Sequence, residues 1–377
     1  MQPIYLDNQS STLMHPQVVE AMLTAGYGNP HSNSHSIGWD AAAKVERARE
    51  SVAALINADA DEIFFTSGAT EANNLAILGV RKLRSERRDS VMRPAIEHKS
   101  VLAACDALVE EYGFRLDEVP VGTDGRIDLA YLAEGGMDRA VLMSVAFVNN
   151  EIGTIQDIAA IGMQRGPVMF HCDATQAPEG ADIMGAAGHC DMMSISSHKM
   201  RGPMGIGALY ISRSIQPLIK PIMYGGGQQF GIRPGTLPLQ LCVGFGVACD
   251  IARNGAEGRK SLAKLRDAFI VALRKQGLEF ELNGTSEFDK RHAGNANIWL
   301  PGVDAEQLLT LLQPGIAAST GSACTSGSLE PSYVLTSIGL STEKASQSIR
   351  FSVGHETTLS DVNKAALMIG EAIKRLA

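Results

Sequence analysis

A lysine and a histidine follow an apolar stretch in Met192-Met193-Ser194-Ile195-Ser196-Ser197-His198-Lys199, and Gly202, Gly205 and Gly207 come after them. The apolar run predicts a buried strand, which sets Lys199 at that strand's carboxyl end. Ligands of open α/β sheets bind along that edge, and a lysine amine there can form a Schiff base with an aldehyde. The plainer alternative is a solvated surface lysine. His171-Cys172-Asp173-Ala174-Thr175-Gln176 closes a second apolar run with an acid at the same edge. That carboxylate needs a cationic partner. A lysine Schiff base combined with an aspartate facing a pyridinium nitrogen is the pattern of pyridoxal phosphate sites. A metal held by His171 and Cys172 is the rival, disfavoured because adjacent strand residues point to opposite faces.

Two further segments can carry chemistry. Ser67-Gly68-Ala69-Thr70-Glu71 joins the apolar Ile63-Phe64-Phe65 to a helical stretch over 72–80, with Gly68 for a tight turn and Thr70 suited to capping. Unpaired amides and the positive end of the helix dipole converge there, which suits a phosphate, although an ordinary capped helix has the same pattern. Ala318-Ser319-Thr320-Gly321-Ser322-Ala323-Cys324-Thr325-Ser326-Gly327-Ser328 is a run of small residues around one thiol. It reads as a loop, and a thiol on an accessible loop can react where a buried one only packs.

The elements that must position these residues follow from hydrophobic spacing. Over 14–211, amphipathic stretches alternate with short apolar runs, as βαβ units do in a mostly parallel sheet covered on both faces. Val45, Ala48, Val52 and Leu55 predict a helix over 39–57, and Val101, Cys105 and Leu108 one over 99–112. Strands are expected over 62–66, 140–148, 168–172, 192–196 and 206–211. Beyond about 255 come a helix over 260–275, short strands over 278–282 and 296–300, another helix, a loop and a last helix from Asp361. We expect a large domain over 14–255 and a smaller α+β domain made of 1–13 and 256–377, closely packed, since no repeat or low-complexity linker separates them. The cationic run over 81–88 reads as a solvated helix end rather than a docking patch.

Composition bounds the function. The chain has 377 residues, 45% hydrophobic and 20% charged, so a large core can form. Its net charge of −8 disfavours binding to DNA or RNA backbones. The longest nearly apolar run, 140–148, is too short to span a bilayer, and the start has no secretory signal, so we expect a cytoplasmic protein. Six cysteines lie far apart with no CxxC pair, so reduced thiols and no structural zinc are expected.

Taken together the motifs resemble the cysteine desulfurases of the NifS and IscS type, within the class-V aminotransferase family of pyridoxal phosphate enzymes. The likeness runs through Tyr5-Leu6-Asp7-Asn8, Tyr27-Gly28-Asn29-Pro30-His31-Ser32, the 66–71 turn, Glu97-His98-Lys99 and Asn149-Asn150-Glu151-Ile152-Gly153. It continues through Asp173-Ala174-Thr175-Gln176, Ser196-Ser197-His198-Lys199, Arg233-Pro234-Gly235-Thr236, the 321–331 loop and Ser348-Ile349-Arg350-Phe351-Ser352. The long cysteine loop resembles the group I enzymes. The resemblance implies an aspartate aminotransferase-like α/β fold (fold type I), with a mostly parallel seven-stranded sheet flanked by helices and a smaller α+β domain.

It also implies roles. Lys199 would hold pyridoxal phosphate as a Schiff base and shuttle protons, Asp173 would face the ring nitrogen, Gln176 the ring hydroxyl, and His98 would stack on the ring. Ala69, Thr70, Ser196 and His198 would line the phosphate site, joined by Thr236 from the other subunit of a homodimer. Asn150 would contact cofactor and substrate, Arg350 would hold the substrate carboxylate, and Cys324 would take the sulfur of L-cysteine as a persulfide. The sulfur would pass to an acceptor such as an iron–sulfur scaffold protein. Ser10-Ser11-Thr12, Ser197 and Met204 depart from the family's usual residues without removing a reacting group. The chain ends at Ala377, whereas many IscS-type members carry a further tail resembling a docking surface for the scaffold. A selenocysteine lyase, a cysteine sulfinate desulfinase and a weakly active sulfur-relay subunit stay open as alternatives.

Overall fold

Strand segments filled with Val, Ile, Leu, Met and Phe bury both faces, and a computed structural model, which describes residues 3–135, 137–321 and 331–376, gathers them into one sheet between helices. The strands are β1 (Ile4–Tyr5), β2 (Ile63–Thr66), β3 (Ser90–Arg93), β4 (Arg115–Glu118), β5 (Ala140–Ala146), β6 (Met169–Asp173), β7 (Met192–Ser196), β8 (Gly207–Ile211), β9 (Glu281–Leu282), β10 (Asn295–Trp299), β11 (Ile316–Ala317) and β12 (Ser348–Ser352). Seven of them form the central sheet in the order β2-β8-β7-β6-β5-β3-β4. From β4 to β7 all pairs are parallel, and β8 runs antiparallel to both β7 and β2. Six strands therefore point the same way. Their carboxyl ends, Thr66, Arg93, Ala146, Asp173 and Ser196 among them, share one edge with the amino end of β8.

Side-chain alternation divides the core between the sheet faces. Phe64, Val91, Leu142, Met192 and Leu209 pack with the helices Ala69–Gly79 and Lys99–Tyr112. Phe65, Met92, Met143, Met193 and Tyr210 face the opposite cluster, with Val45, Ala48, Val52 and Leu55 of the helix Ser36–Ile56 and Phe245 of the helix Leu239–Arg253. A separate core joins Ile4 and Leu6 to the helices Ala256–Lys275 and Leu359–Leu376 around the antiparallel sheet β12-β10-β9. In β12, Ile349 and Phe351 enter this core, which sends Arg350 between them to the other face.

Five strands, β1, β3, β4, β11 and β12, were not expected from hydrophobic pattern, β1 and β11 being only two residues each. β4 is Arg-Leu-Asp-Glu, the charged composition of a sheet edge, β3 is the short Ser-Val-Met-Arg with polar residues at both ends, and β12 carries polar residues at alternate positions. The helices expected from 39, 72, 260 and 361 begin earlier, at Ser36, Ala69, Ala256 and Leu359, because their first turns are polar or glycine-rich. The strand expected over 278–282 shortens to Glu281–Leu282. The 81–88 run begins just past the helix ending at Gly79 and is largely exposed. No helix among the described residues is long and apolar enough to cross a membrane.

Candidate active site

The carboxyl edge of the sheet opens into a cavity of about 560 Å³, within the size range of small-molecule sites. Its lining includes Ala69, Thr70, His98, Asn150, Asp173, Gln176, Ser196, His198, Lys199 and Arg350. Of the residues singled out from sequence, Thr236 is not in this lining but exposed on the surface, and Cys324 lies outside the described residues.

Asp173 ends β6, and both of its oxygens are held. Oδ2 accepts from Asn73 Nδ2 at 2.8 Å, and Oδ1 accepts from the Thr175 amide at 3.0 Å. Lys199 ends the short turn after β7, and its Nζ donates to the carbonyls of Gln9 and Ser10 at 2.6 and 2.7 Å. Gln176 Nε2 donates to the same Gln9 carbonyl at 2.9 Å. The 9–10 backbone, which leaves β1, is thus the strap that ties the amino-terminal segment to the sheet edge.

His98 caps the helix Lys99–Tyr112, its Nδ1 accepting from the Ser100 amide at 3.2 Å. Burial pulls its imidazole below the ordinary range, with Lys199 adding to the pull and the Asp173 charge opposing it. A neutral ring is therefore the resting form, its Nδ1 an acceptor. His198 is lowered further, to about 4, by burial and by the charge on Lys199, and its Nδ1 lies 3.2 Å from Ser11 Oγ.

The 67–71 turn differs from expectation in one respect. Thr70 does not cap the helix Ala69–Gly79; Gly68 occupies the cap position at φ +149°, a region that favours glycine, and Thr70 is the helix's second residue. The amide of Ser67 is taken instead by Glu71 Oε2 at 2.7 Å. The first amides of the helix have no partner within it, and they face the cavity end. Gly207, which opens β8, lies so close that a Cβ there would come within 2.9 Å of Gly68 Cα and 2.6 Å of the Ile195 carbonyl, so the turn is packed directly on the sheet.

Arg350 projects from β12 into the opposite wall. Nη2 donates to Asp7 Oδ1 at 2.7 Å and Ser10 Oγ at 2.8 Å, Nη1 donates to the Asn150 carbonyl at 2.9 Å, and the buried Nε has no partner among the described residues. A fixed guanidinium with an unsatisfied donor suits a carboxylate. His171, the residue weighed as a metal ligand, lies between Ser144 Oγ and Ser194 Oγ at 2.8 and 2.9 Å, and burial lowers it to about 4.

Sequence reasoning missed Asn73, Gln9 and the Glu71–Arg233 pair. Asn73 had a readable signal. With Ala76, Ile77 and Val80 it falls at i, i+3, i+4 and i+7, a lone amide on a buried stripe. Gln9 had none, because its contribution to Lys199 and Gln176 is a backbone carbonyl.

This donor set fits pyridoxal phosphate: first-turn amides for its phosphate, an amine for its aldehyde, and a fixed carboxylate for its ring nitrogen. The aminotransferase class-V family model matches residues 4–365, and the chain belongs to that family. Within it, the chain is 45% identical to the cysteine desulfurase IscS of Rickettsia bellii over 381 aligned residues, covering 99% of this chain and 92% of that protein. A solved NifS-like protein superposes with a TM-score of 0.90 at 29% identity, covering 99% of this chain and 100% of the other. SspA, solved in complex with cysteine, superposes with a TM-score of 0.80 at 32% identity over 94% of this chain and 100% of that one.

Proposed function

We propose that the protein is a pyridoxal phosphate-dependent cysteine desulfurase, converting L-cysteine to L-alanine and passing the sulfur on as a persulfide of Cys324. The observation that carries this reading is the convergence of Lys199, Asp173 and Arg350 on one cavity in a chain 45% identical to a cysteine desulfurase. The chemistry supplied by bound pyridoxal phosphate is an electron sink that stabilises negative charge at the substrate Cα.

The chain's own residues do the rest. Asp173 would pair with a protonated ring nitrogen, which would maintain the sink. His98, a neutral imidazole, would stack on the ring of the cofactor. Gln176 would hold the ring hydroxyl, and Ala69, Thr70, Ser196 and His198, which line the same cavity, would hold the phosphate. Arg350 and Asn150 orient the substrate carboxylate, which fixes the Cα proton toward the Lys199 amine for its transfer. Cys324 takes the substrate sulfur.

We further propose two domains, 14–255 and 1–13 with 256–377, supported by the separation of the core around β12 from the cores flanking the central sheet. A homodimer in which Thr236 completes the partner's phosphate site is supported by the exposure of Thr236 and of Tyr224 and Phe230 nearby in sequence, at 82% and 79%. The proposed acceptors are proteins of iron–sulfur cluster assembly or other thiolation routes, and the proposed location is the cytoplasm, consistent with the five cysteines among the described residues, each free and buried.

Purified protein supplied separately with L-cysteine, L-selenocysteine and L-cysteine sulfinate, and assayed for alanine, tests the substrate. Turnover should be fastest with cysteine and release sulfide in the presence of a thiol reductant, and Lys199→Ala should abolish it. Faster turnover of either other substrate would assign the alternative lyase activity, and absence of turnover with all three would assign a relay subunit.

A further inference from the structure

Asn73 stands on the helix Ala69–Gly79, fully buried, with its amide directed between Asp173 and Ser100. One Nδ2 hydrogen goes to Asp173 Oδ2 at 2.8 Å and the other to Ser100 Oγ at 2.9 Å. Ser100 Oγ in turn lies 2.8 Å from His98 Nδ1. Since Asn73 donates to that hydroxyl, and His98 Nδ1 already accepts the Ser100 amide, the hydroxyl hydrogen points to the imidazole. A continuous chain therefore runs from the carboxylate through Asn73 and Ser100 to the ring of His98.

The amide's orientation is fixed by charge: turned over, its oxygen would face the Asp173 carboxylate. The orientation has a cost, because Oδ1 is buried with no partner among the described residues. An apolar side chain of the same size would avoid that cost. What it could not do is donate two hydrogen bonds at once, so the use of this amide lies in its two N–H groups.

We infer that Asn73 is a positioning residue that holds the Asp173 carboxylate aimed into the cavity and couples it to His98, so that the site selects a cationic ring nitrogen over a neutral ring of the same shape. The inference rests on the reading of pyridoxal phosphate as the cofactor, and concerns how the chain recognises it. Asp173 supplies the charge. Asn73 prevents the carboxylate from rotating toward other donors, and with Thr175 it leaves the carboxylate one direction in which to meet a cation. The Ser100 link fixes the imidazole that would cover the same ring, so the group that would meet the ring nitrogen and the group that would cover the ring are set by one side chain.

The test compares equilibrium binding of pyridoxal phosphate with that of its analogue carrying carbon in place of the ring nitrogen, in cofactor-stripped parent, Asn73→Ala and Asn73→Leu. The leucine keeps the branching and heavy-atom count and leaves no cavity, so a folding defect from a cavity is distinguishable from loss of the donor. The parent should prefer pyridoxal phosphate, and both variants should lose about tenfold of that preference, about 1.4 kcal/mol, with affinity for the neutral analogue nearly unchanged. A role confined to packing would weaken both ligands together and leave their ratio intact, and that result, in either folded variant, would overturn the inference. A parent that binds neither ligand would instead overturn the cofactor reading on which it rests.

Discussion

Arg233 grips Glu71 through two hydrogen bonds, Nε to Oε1 at 2.7 Å and Nη2 to Oε2 at 3.1 Å, which ties the stretch ending at Thr236 to the 67–71 turn that lines the cavity. Both side chains are mostly buried, and Glu71 Oε2 also receives the Ser67 amide. A lysine at 233 keeps the charge and loses the fork. Arg233→Lys should lower unfolding stability by about 1 to 3 kcal/mol and loosen retention of pyridoxal phosphate on dialysis. Urea unfolding and cofactor absorbance check this, and parental values in both would contradict it.

Because Thr236 does not line the cavity of its own chain, cofactor retention should depend on association. The protein should sediment as a dimer at micromolar concentration, and Thr236→Ala should weaken cofactor binding without changing the monomer's fold by circular dichroism. Full cofactor occupancy in a monomer would refute the shared site. Isologous pairing would place two such sites across one interface.

Arg350 presents its guanidinium to the cavity held by Asp7, Ser10 and Asn150, with Nε still unsatisfied. Arg350→Lys should raise KM for L-cysteine by about tenfold or more, the loss of one charge-assisted hydrogen bond. An unchanged KM would identify another carboxylate ligand.

Glu97 is buried, its carbonyl accepting from the Tyr333 hydroxyl at 2.7 Å and its Oε1 accepting the Ala146 amide at 2.9 Å, with Oε2 unpartnered among the described residues. Burial pushes its carboxyl up to about 8. Between its unfolded value near 4.3 and about 8 the folded state holds a proton that the unfolded chain has lost, so this group's contribution falls as pH rises, by about 1.4 kcal/mol per unit. Glu97→Gln should remove that slope. Unfolding free energies of parent and variant at pH 5.5 and 7.5 should differ by a margin that shifts in favour of the variant at the higher pH. A constant difference would mean that Glu97 is ionised in the folded protein.

The parts of the site legible in the sequence were those announced by a strand end. Lys199 and Asp173 each follow an apolar run, and a strand of known direction places its last residue at the ligand edge. Arg350 could be assigned only through resemblance, because β12 alternates polar and apolar residues and its Arg reads equally well as solvated until the core under Ile349 and Phe351 is known. The Thr70 expectation failed because the conformation of Gly68, not a side-chain oxygen, starts that helix. The strap at Gln9 and Ser10 acts through backbone carbonyls, which no residue type records.

The five described cysteines are buried, and burial raises the thiols of Cys105, Cys172, Cys190, Cys242 and Cys249, so none is a ready thiolate. The proposed sulfur acceptor is Cys324, and the most direct measurement is mass spectrometry of the protein after incubation with L-cysteine, alkylated before reduction. The extra sulfur should lie on Cys324, and Cys324→Ala should bind pyridoxal phosphate normally while carrying no persulfide and releasing essentially no sulfide. A persulfide on Cys172 or Cys190 with none on Cys324 would contradict the mechanism.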